Sequence, residues 1–497
     1  MEKRRGGAEE VMSPVPDPPQ AEEPQPTRHA STASLSLERL PDDVLVLVLR
    51  YLDVGSLLAC RLVCKRLGAL ALHGDAWRHR VVGGFVGGCA CVCPELRLAP
   101  CVRVLCFYTE LHDRVPCREA ALAWTRCAAA ELCLEVSDGS DNALAAAALI
   151  NRQQALGRLK SLRVELYSSK PAVISVLTET CASTHGLVKL EVEVWGGRLP
   201  TPFQTECTIS APSLRHFKCV LSPEMEPFVN LILAGHAATL ETVDLNSEAS
   251  GMFCVATVPL LLGLPKLTKL SCCNIPGVEA VAASHTLRKL ELTVRTETEH
   301  RGAVAGAAAL LMRAPQLREV KVWYSPCTAD VGVDVIWALA SSGRSPLESL
   351  EIENDGNGQY FCHLQELIAA MPSLLALRHL RVDVGGNMEK LDELALAITP
   401  ATAPALRSVK LGLGTGLCGH ACLHRDAFKT NMSKNPLLHL GLSALPQYCG
   451  ILSCEACGVG CHEVMKKFES YDFYLFWHDF DTKCPQDHSL HVQWALS

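Results

Sequence analysis

From about residue 100 onward the apolar positions follow two alternating rhythms. In LRVEL (Leu162–Leu166), LEVEV (Leu190–Val194), LELTV (Leu290–Val294), VKVWY (Val320–Tyr324) and LRVDV (Leu380–Val384), apolar and polar residues alternate strictly. That pattern predicts strands with one buried face. Between them lie alanine- and leucine-rich segments of helical length, among them Ala143–Leu156, Pro227–His236 and Ala303–Pro315. Each unit opens Leu-x-x-Leu-x-apolar-x-apolar, anchored at Leu159, Leu187, Leu214, Leu240, Leu267, Leu287, Leu317, Leu347, Leu377, Leu406 and Leu437. Weaker copies stand at Val102 and Ala129. A period of about 28 residues is the signature of a solenoid. Strand and helix in alternation predict an α/β architecture with thirteen parallel strands side by side and helical returns. Leu267 and Leu287 are too close for a full helix, so an extended or short-helical return is expected near Pro276.

A different pattern occupies Leu37 to Val82. Pro41, Asp42 and Asp43 suit the first turn of a helix, where proline lacks only an orphan N–H and carboxylates meet the positive end of the dipole. The helix is expected over Asp42–Leu52, with Val44, Leu45, Val48, Leu49 and Leu52 as a stripe and Val46 and Leu47 apolar besides. A second helix is expected over roughly Gly55–Leu67, carrying Leu57, Leu58, Leu62, Val63 and Cys64 before Lys65 and Arg66; Trp77 closes the unit. So short a stretch cannot bury that much apolar surface alone. It packs on the rest of the chain or on a partner.

Composition changes this picture little. A formal charge of −7 gives no reason to expect nucleic acid or an anionic membrane as a partner. No apolar run reaches the ~18 residues of a membrane span. The 25 cysteines, such as Cys106, Cys133, Cys219, Cys272 and Cys273, sit in apolar segments. Without a secretion signal they read as reduced, buried, small hydrophobes, which fits cytosol or nucleus. Residues 1–36 are Pro-rich and without periodicity, a disordered lead. Residues 83–100 form a Gly/Cys-rich junction in which Cys89, Cys91 and Cys93 alternate. The solenoid is expected over 101–445 and a Cys/aromatic-rich cap over 446–497.

In that cap, Cys454, Cys457, Cys484 and His488 have zinc-like ligand types, but Cys457 and Cys484 are farther apart than in an ordinary finger, and a buried reduced cap is favoured over a metal. No phosphate loop or nucleophile elbow is present, and neither a cofactor nor catalysis is expected. Strand residues pointing away from the leucines would line a concave face of mixed charge: Lys189, Glu191, Lys321, Trp323, Glu351, Arg381 and Asp383 among others. Mixed charge with an exposed tryptophan suits selective protein recognition.

Two family resemblances follow. Leu37-x-x-Leu40-Pro41-Asp42-Asp43-Val44-Leu45, then Leu52, then Leu62-Val63-Cys64-Lys65-Arg66, then Trp77, resembles an F-box. Leu67 departs from it, standing where many members have an aromatic residue. The repeat resembles leucine-rich repeats, although the polar residue after each strand is mostly missing and Asn274 comes nearest to it. The first resemblance implies docking on the Skp adaptor of a cullin-based ubiquitin ligase, with Leu40, Pro41, Val44, Leu45, Val48, Leu52, Leu57, Val63, Cys64 and Trp77 as docking surface or its direct support. Together the two imply a non-catalytic substrate receptor for an unidentified protein; a ligase-independent interaction scaffold is the alternative.

Overall fold

A computed structural model of the chain describes residues 39–83, 93–108, 122–195, 209–245, 256–297, 301–354, 361–413 and 421–443, less a few positions within these ranges, and strands 472–476 and 491–493. The chain divides into two compact units, Met1–Ala71 and Leu72–Ser497.

The first unit contains α1 (Asp42–Tyr51), α2 (Val54–Cys60) and α3 (Lys65–Leu70). Pro41 caps α1, and Asp42 and Asp43 fill its first turn. Asp53 caps α2, accepting from the backbone N–H of Ser56 at 2.9 Å and from its hydroxyl at 2.5 Å. Those bonds hold its carboxyl below the usual carboxylate range. The single helix expected over Gly55–Leu67 is therefore two helices. The chain turns at Arg61–Val63, and Cys64 caps α3 through its sulfur, 3.4 Å from the Leu67 nitrogen. Arg66, at the start of α3, donates to Asp42 Oδ1 from both Nε (2.8 Å) and Nη2 (2.6 Å), and to the Leu40 carbonyl at 2.5 Å. This fork fastens α3 to the start of α1.

The second unit is built on one sixteen-stranded sheet whose spatial order is the sequence order. Its strands are β1 (Val81–Val82), β2 (Cys101–Tyr108), β3 (Ala128–Ser137), β4 (Ser161–Tyr167), β5 (Lys189–Val194), β6 (His216–Cys219), β7 (Thr242–Asp244) and β8 (Lys269–Cys273). They continue with β9 (Lys289–Arg295), β10 (Glu319–Ser325), β11 (Ser349–Asn354), β12 (His379–Gly385), β13 (Ser408–Leu413), β14 (His439–Ser443), β15 (Asp472–Phe476) and β16 (His491–Gln493). The first fourteen run parallel; β15 pairs antiparallel to β14, and β16 parallel to β15. Helical returns connect most of the strands, the longest over Ser140–Ala155, Pro171–Ser183 and Arg301–Arg313. The short return after Pro276 is a 3₁₀ helix, Val278–Ala283, as the spacing predicts.

Register keeps every repeat anchor in one row. Val320 of β10 lies beside Leu290 of β9 and Leu350 of β11, three residues beyond Leu317, Leu287 and Leu347. The anchors Leu159, Leu187, Leu240, Leu267 and Leu287 are buried, with the alternate strand residues Leu162, Val164, Leu190 and Val192. Thirteen predicted strands thus become fourteen parallel ones, because the two-residue β1 extends the sheet ahead of β2.

Polar side chains complete the inner backbone. Asn274 is buried and grips Arg295 from both sides, accepting from its N–H at 2.9 Å and donating to its carbonyl at 3.1 Å. Gln153 does the same in the first repeats, accepting from Ala129 N–H at 2.8 Å and donating to the Cys127 carbonyl at 3.0 Å. His236, at the end of the helix Glu226–Gly235, accepts from the Ser213 N–H at 3.1 Å through Nδ1. That bond requires the neutral ring, and burial pushes the imidazole down to about 4. A histidine whose folded value is depressed contributes stability above its ordinary value and loses it as pH falls towards the folded value. Thermal stability should therefore drop between pH 6.5 and 5, and His236→Gln should flatten that slope in a pH series of melting curves; an unchanged slope would contradict this account.

At its N-terminal end the sheet is closed by α4 (Gly74–Trp77), whose Trp77 is fully buried. The Arg80 guanidinium lies 5.6 Å from the Trp77 ring centroid and donates to the Ala76 carbonyl at 2.8 Å. Arg103 and Val104 N–H groups donate to the Arg80 carbonyl, which starts the β1–β2 pairing. Gly83 ends β1 at φ +84°, where a Cβ would sit 2.0 Å from the Cys106 carbonyl oxygen, so only glycine fits.

Candidate functional site

Two surfaces carry the features that the sequence singles out. On the first unit, Leu45, Val46 and Leu49 of α1 and Leu57 of α2 are buried, which makes Leu45 and Leu57 support rather than contact surface. Trp77 is fully buried, within the second unit. Leu40, Val44 and Leu52 are half-buried, while Pro41, Val48, Val63 and Cys64 are exposed. Three further apolar side chains are as open: the exposed fractions are Leu47 53%, Val48 47%, Tyr51 86%, Leu62 83% and Val63 70%. Leu47 and Tyr51 share one face of α1, one turn apart, and Leu62 and Val63 occupy the turn between α2 and α3. Exposed apolar side chains at this density mark an interaction surface. Leu47, Tyr51 and Leu62 fall outside the docking set expected from sequence. The stripe through Val44, Val48 and Leu52 hides them, because α1 is apolar on nearly all sides.

The second surface is the face of the sheet opposite the buried leucines. In-register pairing strings Arg163, Glu191, Lys218, Asp244, Ser271, Glu291, Lys321, Glu351, Arg381 and Lys410 into one row across ten strands. Signs mostly alternate, so most of these charges meet an opposite one on a neighbouring strand. Ion pairs follow: Lys189–Glu191 at 2.8 Å, Lys218–Glu193 at 2.7 Å, Lys269–Glu291 at 2.6 Å and Lys321–Glu353 at 2.6 Å. Arg381 bridges Glu351 at 2.9 Å and Glu353 at 3.0 Å. Of the residues expected to touch substrate, Lys189, Glu191, Lys321, Glu351 and Arg381 thus already hold one another. Asp383 differs: burial and then the charge of Glu353 push its carboxyl up. Trp323 is exposed on this face, with the Lys321 ammonium 5.7 Å from its ring centroid.

One pair on this surface escapes sequence reading. Tyr167 and Trp195, at the ends of β4 and β5, are both exposed and stack with centroids 6.4 Å apart. Each follows an alternating run as its last residue, where the pattern no longer says which way a side chain points.

Cysteines divide along the same lines. Cys219, Cys272 and Cys273 are buried, and burial pushes the Cys219 and Cys272 thiols far up. Cys106 and Cys133, expected in the core, instead face each other half-buried in the polar row, because β2 and β3 present them in register with Arg163. Cys89, Cys91, Cys454, Cys457, Cys484 and His488 lie outside the described residues. Among the described residues, Cys327, Cys362 and His363 bring three ligand atoms within 4.8 Å of one another.

Comparison with known proteins bears on the first surface. Residues 37–82 match the F-box-like family. Over 48 residues the chain is 47% identical to F-box only protein 3 from Homo sapiens, a match covering 10% of each chain. It thus spans a tenth of that relative's length. Among solved structures, the Rad7 and Elc1 complex in yeast aligns with 80% of this chain and 86% of its own at 12% identity and a TM-score of 0.35. The TLR13–ssRNA13 complex aligns with 63% of this chain and 46% of its own at 14% identity and a TM-score of 0.27. Residues 37–82 are an F-box-like domain, and the solenoid-like architecture is read from the strand order itself.

Proposed function

We propose that the chain is the substrate-recognition subunit of an SCF-type ubiquitin ligase. Its F-box-like helices dock a Skp-family adaptor, and through it a cullin–RING core; the open face of the sheet holds a protein substrate. The observation that carries this reading is the run of exposed apolar side chains, Leu47, Val48, Tyr51, Leu62 and Val63, on a segment that matches the F-box-like family. The chain itself makes and breaks no bonds in this scheme. It raises the concentration of substrate lysines near a charged conjugating enzyme, which is catalysis by proximity.

The substrate face supports this reading in a particular way. Its charges are largely satisfied internally, so they exclude wrongly charged partners more than they attract the right one. Net attraction then falls to the aromatic side chains that remain open, Trp323 and the Tyr167–Trp195 stack. Co-expression of the full chain with a Skp adaptor, followed by size-exclusion chromatography, is expected to yield a one-to-one complex. A well-behaved monomer that never takes up the adaptor would remove the ligase reading and leave a ligase-independent scaffold.

A further inference from the structure

The repeats between β10 and the helix Leu364–Ala370 hold a group of side chains that neither surface uses. Cys327 lies two residues beyond β10, and Cys362 and His363 immediately precede that helix, after β11. Residues far apart in the chain meet here because one repeat separates them. The two sulfurs and a ring nitrogen of His363 lie within 4.8 Å of one another. Cys327 and His363 are buried and Cys362 is half-buried.

The surroundings of these groups are arranged as those of metal ligands are. His363 Nε2 stands 3.0 Å from the Val331 carbonyl, which can only accept, so Nε2 carries the proton and Nδ1 keeps its lone pair. A backbone carbonyl that fixes the ring tautomer in this way is the usual support of a metal-bound histidine. That carbonyl is itself held in a closed turn: the Val331 N–H donates to the Thr328 carbonyl at 3.3 Å, and the Tyr324 hydroxyl donates to the Gly332 carbonyl at 3.1 Å. Gly332 adopts φ +93°, and a Cβ there would lie 2.8 Å from the Tyr324 ring. The Cys362 backbone N–H points at the Cys327 sulfur, 3.4 Å away. Tyr324 and Phe361 wall the imidazole, with ring centroids 5.6 and 5.8 Å from it.

We propose that Cys327, Cys362 and His363 bind a zinc ion that clamps one repeat to the next. Two thiolates and an imidazole are the ligand types zinc selects. Zinc–sulfur bonds of about 2.3 Å place two tetrahedral sulfurs about 3.8 Å apart, so the two sulfurs close by no more than about 1 Å to reach the ion. The fourth position is left to a water molecule. On binding, both thiols lose their protons to solvent and the ion keeps its charge state, so no oxidant or reductant is needed. This inference stands apart from the ligase reading, since it concerns the integrity of the solenoid.

The test is elemental analysis of the full chain, purified with its adaptor or alone under reducing conditions, beside Cys327→Ser, Cys362→Ser and, as a control for the tail, Cys457→Ser. Wild type and the tail variant are expected to carry one equivalent more zinc than either Cys327→Ser or Cys362→Ser. Cobalt-exchanged wild type should show a thiolate-to-cobalt absorption band that Cys362→Ser weakens. Equal zinc in wild type and Cys362→Ser overturns the proposal, as does a Cys327–Cys362 disulfide in a non-reducing peptide map. Should the serine variants lose their fold, the native chain decides: a zinc chelator should raise alkylation of Cys362 severalfold, and unchanged labelling overturns the site.

Discussion

Val48→Glu combined with Val63→Asp is expected to abolish the proposed adaptor capture while the chain stays folded. Both side chains are exposed, so carboxylates there meet water in the free protein and cost it little. In a complex the same carboxylates would be enclosed by an apolar partner without a counter-charge. Desolvating an unpaired ion costs several kcal/mol, and each ~1.4 kcal/mol is tenfold in affinity. Binding should therefore weaken by about a hundredfold or more, read as loss of the co-eluting adaptor on size exclusion, with the melting curve unmoved. Leu40→Ala with Pro41→Ala is a less clean variant. Pro41 caps α1 and its carbonyl accepts from Leu45, so that pair also perturbs the start of the helix. Leu45→Ala is the complementary control: the side chain is buried, and its loss should lower stability by about 2–5 kcal/mol rather than remove a contact. Retained adaptor binding in the doubly charged variant would exclude this face as the dock.

Solenoid periodicity was legible because it is redundant. Anchors from Leu159 to Leu406 repeat the same buried position, Leu437 of the last repeat being exposed, and pairing in register leaves one place for each. Even the exceptional return after Pro276 follows from the interval between Leu267 and Leu287. Features lacking that redundancy were lost. The break between α2 and α3 falls at Leu62-Val63, whose apolar side chains read as continued helix, and its cap is a cysteine where Ser, Thr, Asp or Asn would have signalled a start. Strand β1 is two residues long and carries no alternation to detect. Surface identity was legible only in part, because sequence registers which residues share a face but not which of them neutralise each other. Lys321, Glu351 and Arg381 are as polar in the sequence as they are on the sheet, yet their ion pairs appear only once β10, β11 and β12 are laid side by side. The same juxtaposition unites Cys327 with Cys362 and His363, whose distance along the chain matches no metal motif.

Trp77 poses the sharpest division between the two units, because family resemblance places it with the dock and the fold places it in the sheet's end. Fully buried, it lies beside the Arg80 guanidinium and closes the edge where β1 pairs with β2. Removing a buried tryptophan side chain costs about 3–5 kcal/mol, from lost burial and from the cavity left behind. In a solenoid that loss falls first on neighbouring repeats, since each unit is stabilised by the next. Trp77→Ala is accordingly expected to accelerate amide hydrogen exchange in β1, β2 and β3 and to leave β10, β11 and β12 protected. Adaptor capture should persist at temperatures where the end remains folded, because the exposed apolar residues of α1 and of the α2–α3 turn are untouched. The opposite result, unchanged exchange with the adaptor lost, would make Trp77 part of the docking surface and would return it to the role its position in the motif suggests.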